Sequence, residues 1–138
     1  MRVLGLDHGS RRVGVAITDW LGITAQGVGT MDGKDEEKLL RDIQELVIER
    51  DVERIVVGLP INMDGSEGPQ ALTVRHFVER LEGHMPKIPV ELFDERLTSV
   101  EADRILDEVG IRGPDRKKHR DRIAAQVLLQ DWLEVGRT

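Results

Sequence analysis

Residues 1–18 read MRVLGLDHGSRRVGVAIT, and the fold turns on how they are interpreted. The apolar run Val3–Leu6 stops at a single acid, Asp7. His8, Gly9 and Ser10 make a turn, Arg11 and Arg12 follow, and a second apolar run extends from Val13 to Ile17. Two short β-branched runs joined through glycine predict a hairpin with Asp7 near the end of its first strand. A carboxylate at the end of a buried strand is costly unless a cation faces it. The later acids matter through whether the fold brings them to Asp7.

Beyond the hairpin, Ile23 to Met31 reads as a third strand, weakened by Gly27 and Gly29. From Asp35 to Asp51 the period changes: Leu39, Leu40, Ile43, Leu46 and Val47 fall at helical spacing, and acids fill the first turn where the helix dipole favours them. The continuous apolar run Arg54–Leu59 suits a strand covered on both faces. After the turn-rich loop INMDGSEG, a helix opens near Gly68–Pro69 and turns Ala71, Val74, Phe77, Val78 and Leu81 inward. Pro89–Phe93 is a further strand, followed by Asp94, Glu95 and Arg96. Thr98 and Glu101 match a capping box that opens a third helix ending at Gly110, and a last helix carries Ile123, Ala124, Ala125, Leu128, Leu129 and Trp132. The order predicts an α/β fold: a three-strand antiparallel meander plus two parallel strands in one mixed five-stranded sheet, flanked by helices. If the first strand pairs in parallel with the fourth, Asp7, Gly58–Pro60 and Asp94–Glu95 share the carboxyl-end rim where ligands bind in such sheets.

Residues 1–138 carry no linker-like stretch and read as a single domain. No apolar run reaches the roughly 20 residues of a membrane span, and Met1 leads directly into a strand, so a cytoplasmic protein without membrane partners is expected. The absence of cysteine excludes thiolate metal sites, disulfides and thiol nucleophiles. A net charge of −6 argues against coating nucleic acid by bulk electrostatics. Between Arg112 and Arg122, however, Arg112, Arg116, Lys117, Lys118, Arg120 and Arg122 face only Asp115 and Asp121, which fits a limited phosphate footprint.

Asp121 shares a helix face with Ala124, Ala125 and Leu128, and so turns toward the core. Taken singly, Asp7 could cap its turn, Glu95 could pair with Arg96, and Asp121 could satisfy helix amides. Three carboxylates meeting on one rim would repel one another unless a divalent cation joined them, and an oxygen-only donor set suits Mg²⁺ or Mn²⁺. Such ions serve phosphodiester hydrolysis, with Arg11, Arg12, Arg96, Lys117 and Lys118 available for phosphates. His8 is expected to be an exposed turn residue, and with few aromatics, recognition should depend on backbone shape more than on base stacking.

The segments GLDHGSRRVGVA, IVVGLPINMDGSEG, FDERLTSVEA and KKHRDRIAAQVLLQ together resemble the YqgF family, also called RuvX, across essentially the whole chain. Arg11 stands where lysine is common in that family, and the glycine many members carry before the last acid is absent. The resemblance implies an RNase H-like fold and a cytoplasmic nuclease that processes the 5′ end of pre-16S rRNA during ribosome biogenesis. It places the catalytic, metal-holding acids at Asp7, Glu95 and Asp121. Its implied partners are structured RNA, the ribosomal particle, and alternatively branched DNA of the Holliday-junction type. A non-catalytic RNA-binding maturation factor is the competing class; an actin-like ATPase ranks last, since it needs two such domains.

Overall fold

The opening hairpin forms as β1 (Arg2–His8) and β2 (Arg12–Thr18), antiparallel, with Asp7 directly opposite Gly14. The structure is a computed structural model that describes residues 1–95, 98–110, 113 and 116–136, without the side chains of 98–101, 118 and 136. β3 (Ala25–Asp32) completes the antiparallel meander. Its register slips between Val15 and Ala16, so Val28 is an extra, bulged residue. β4 (Val52–Leu59) and β5 (Val90–Asp94) add in parallel beyond β1, giving the order β3-β2-β1-β4-β5. The mixed five-stranded sheet expected from the sequence is therefore present.

One face of the sheet receives Leu4, Leu6, Val13, Val15, Ile17, Ile55 and Val57, which pack under α1 (Glu36–Glu49) and α2 (Pro69–His84). Asp35 caps α1, accepting from the Lys38 amide at 3.2 Å, and buries Leu39, Leu40, Ile43 and Val47 below it. α2 starts with Pro69 after Gly68 and buries the five apolar residues predicted for it. The loop before α2 is a tight turn: Gly65 donates to Asn62 and Asp64 caps Ser66.

The opposite face carries α4 (Arg116–Gly136), whose Ala125, Leu129 and Leu133 meet Val3, Ala16 and Val56. Trp132 of α4 donates its indole N–H to Glu91 of β5. α3 (Thr98–Val109) packs on α4, through Ala102 and Leu106 against Ile123 and Ala124. The Thr98–Glu101 capping box lies outside the described side chains. Among the described residues, no helix is long and apolar enough to cross a membrane.

Glycine permits the close approach of α4. A Cβ on Gly5 would fall 2.9 Å from the Cβ of Leu129, and one on Gly27 would fall 2.6 Å from the Cγ of Arg122. Gly27 is a contact point for the helix, not the weak spot in a strand that its composition suggests.

Candidate active site

Asp7 lies between two glycines on neighbouring strands. Gly14 faces it across the β1–β2 ladder, and Gly58 follows Val57, the β4 partner of Leu6. Strand alternation puts all three on the α4 face, because Leu6, Val13 and Val57 point the other way. The missing side chains leave room for two groups. The backbone of Asp121 lies over Gly14, and the carboxyl group of Glu95 lies over Gly58. Each acid is thereby delivered to the flank of Asp7 by a glycine beside it.

The Glu95 carboxyl group, seated over Gly58, stands beside Asp7, close enough for the charge of each to act on the other. Burial, and then the charge of Asp7, push Glu95 from an ordinary 4.5 to about 9. Burial also raises Asp7; the charge of Asp121 adds to that rise, while the Glu95 contact and the Arg120 guanidinium oppose it. The pair therefore holds a proton at neutral pH.

Asp121 is half-buried on the first turns of α4, on the face shared with Ala125 and Leu128 as its spacing predicts. It accepts from Nε of Arg12 at 2.8 Å, with both side chains 29% exposed. Asp121 acts on Asp7 through its field, but its direct partner is Arg12. Among the described residues, no three acidic or histidine side chains are already gathered in the geometry of a bound cation.

An open cleft of about 440 Å³ adjoins Asp121, lined by Gly9, Ser10, Arg11, Arg12 and Lys117. Arg11 and Arg12 also border a second cleft of about 360 Å³ with Thr30, Asp32 and Lys34. Three of the five cations predicted to face phosphate thus stand together; Arg96 and the side chain of Lys118 lie outside the described residues, as does Arg112. Three other members of the stretch have partners of their own. Arg116 pairs with Asp107 at 2.9 Å and Asp103 at 3.7 Å, Arg120 pairs with Asp103 at 3.4 Å, and Arg122 lies 3.3 Å from the His119 ring nitrogen. The Arg116 and Arg120 contacts join α3 to α4, and among the described residues Lys117 is the member of the stretch that lines the cleft.

His8 departs from expectation. β1 continues through His8, so its ring turns onto the α2 face and stacks on Phe77 with centroids 4.4 Å apart. Its Nδ1 is buried without a hydrogen-bond partner, and burial holds the imidazole below its ordinary value. It faces away from the acids.

The donor set fits a hard divalent cation. It offers oxygen only, it is half-buried, and Glu95 holds at neutral pH a proton that a cation would replace. Asp7, Glu95 and, once free of Arg12, Asp121 could hold such an ion.

Comparison with known proteins agrees with this architecture. Residues 1–135 match the model of a family described as "RuvX: Holliday junction resolvase". A protein of Halothermothrix orenii named "Putative pre-16S rRNA nuclease" is 46% identical over 133 residues, covering 96% of this chain and 94% of that protein. One of the same name from Syntrophomonas wolfei is 45% identical over 136 residues, covering 99% and 96%. Among solved structures, Thermus thermophilus RuvC superposes with a TM-score of 0.59 at 13% identity, over 99% of this chain and 97% of that one. The Fowlpox virus resolvase, solved with its substrate Holliday junction DNA, gives 0.59 at 12% identity over 100% of both. The sheet order and its helices are those of the RNase H-like resolvases. With nearly its entire length matched, the chain belongs to the RuvX family.

Proposed function

We propose that this protein is a divalent-metal-dependent nuclease that hydrolyses phosphodiester bonds in structured RNA, maturing the 5′ end of pre-16S rRNA in the cytoplasm. The observation that carries the reading is the half-buried Asp7–Glu95 pair, with Asp121 at the edge of a cleft lined by Arg11, Arg12 and Lys117. The names of the curated relatives support the substrate. Asp7, Glu95 and Asp121 would hold Mg²⁺ or Mn²⁺, which when bound activates water and stabilises the leaving oxygen. Glu95 would give up its proton on loading, because a cation there would take over the neutralising role. Arg11 and Arg12 offer planar forks to phosphate oxygens, and Lys117 offers a point charge, so the backbone is held by shape and charge.

The decisive experiment compares cleavage in Mg²⁺ of a short pre-16S 5′ fragment and a four-way DNA junction by wild type and Asp7→Asn. Wild type is expected to cut the RNA, and the variant to lose at least about a hundredfold in rate while keeping its melting temperature. Undiminished cutting by a folded Asp7→Asn overturns the assignment. The family's description as a resolvase favours a second reading, branched DNA as substrate, which preferential cutting of the junction would establish.

A further inference from the structure

Among the described residues, Arg12 is the cation in direct contact with a candidate metal-holding carboxylate. The pair is built into the fold. Arg12 opens β2 in register with Asp32, and the backbone of Asp121 is pinned over Gly14 two residues further along the same strand. The guanidinium uses Nε for Asp121, and among the described residues its terminal amino groups have no protein partner. Arg12 also lines both clefts.

This arrangement has two electrostatic effects. Arg12 neutralises Asp121 without a metal, so the third carboxylate is withheld from the Asp7–Glu95 pair. A dication approaching that pair also meets a like charge close by. A phosphate in the cleft changes both, since a guanidinium binds phosphate through two parallel N–H donors. Once Arg12 turns to the phosphate, Asp121 is released and the repulsion is spent on an anion. Given the nuclease reading above, we propose that Arg12 is a positioning residue that couples metal loading to nucleic-acid binding. It guards Asp121 in the free protein and hands it over when a phosphodiester arrives. By linkage, the metal tightens nucleic-acid binding by the same factor.

The test reads metal binding, not turnover. Mn²⁺ is titrated into the protein with and without a short RNA duplex, following loss of the free-ion electron paramagnetic resonance signal, and a gel confirms that the duplex stays intact. In wild type the duplex is expected to tighten Mn²⁺ binding about tenfold or more. In Arg12→Ala, Mn²⁺ should bind about tenfold tighter than in wild type without RNA, and the duplex should add less than about threefold. Combining Arg12→Ala with Asp121→Asn should erase the gain, and Arg12→Lys should fall between. Arg12→Gln, which keeps the length and loses the charge, serves if the alanine variant fails to fold. Folded Arg12→Ala or Arg12→Gln binding Mn²⁺ no more tightly than wild type in the absence of RNA overturns the coupling, while loss of cutting in Asp7→Asn would still uphold the nuclease reading. Wild type that binds no Mn²⁺ with or without RNA overturns both.

Discussion

The carbonyl group of Asp121 rests on the α-carbon of Gly14, with no side chain between helix and strand. A Cβ at Gly14 would fall 2.7 Å from the carbonyl carbon of Asp121 and closer still to its oxygen, with the Ala125 methyl 3.4 Å away. Two of these three atoms are backbone and cannot step aside. Gly14→Ala should therefore lift the start of α4, costing about 1–3 kcal/mol in urea unfolding and lowering cleavage at least about tenfold as Asp121 moves. Full activity at unchanged stability would show that α4 does not need this contact.

Gly58→Ala should behave differently. Its added methyl would meet the end of the Glu95 side chain, 2.8 Å from Cδ, and a Leu128 methyl at 3.1 Å. Both neighbours are mobile ends of side chains, so the stability loss should stay below about 1 kcal/mol. The carboxyl group must nonetheless leave its place beside Asp7. A fall in kcat of about a hundredfold with KM nearly unchanged is expected; an equal loss in KM alone would place Glu95 outside the chemistry.

Glu95 also sets how metal-free stability depends on pH. Its carboxyl is raised from 4.5 to about 9, so between those values the folded protein holds a proton that the unfolded chain releases. Stability is fully present below pH 4.5 and declines as pH rises toward 9, and Asp7, raised by burial, acts in the same sense. Urea unfolding in chelator should show that slope, and Glu95→Gln should flatten it. Mg²⁺ competes with the proton, so its stabilising effect should be larger at about pH 8 than at about pH 6.

His8 works in the opposite direction. Its imidazole is held below 6.5 by burial, so under more acidic conditions the unfolded chain takes up a proton that the folded state resists. Stability should fall as pH drops below 6.5. His8→Phe keeps a ring against Phe77 and removes the orphaned Nδ1, so its melting temperature should exceed that of wild type near pH 5.5, with the gap closing toward neutrality.

The hairpin, the helices and the inward turn of Asp121 were legible because each is a local pattern: runs of apolar residues, or spacing of three, four and seven. The purpose of the two glycines that flank Asp7 was not. A glycine within a strand reads as a weakness, and its purpose depends on what crosses above it, here residues from α4 and from beyond β5. The ion pairs of Arg116 and Arg120 were hidden for a related reason. The acids they meet, Asp103 and Asp107, sit on α3, and a one-dimensional count of basic residues cannot see across a helix pair. His8 was misplaced by a strand boundary: extending β1 to that residue moves the side chain from a turn to the face that holds Phe77. The Arg12–Asp121 pair joins the two ends of the chain and leaves no local trace.

That pair has a consequence for the order in which the molecule matures. Asp7 belongs to the first strand, Glu95 follows the last, and Asp121 arrives on the final helix. A chain that has closed its meander but not yet added β5 and α4 has only Asp7 of the three acids in place, and its Arg12 lacks Asp121. Loop closure over such sequence distances comes late, after local hairpins have formed. A centre that needs all three acids is therefore complete only once the last helix has docked on the sheet.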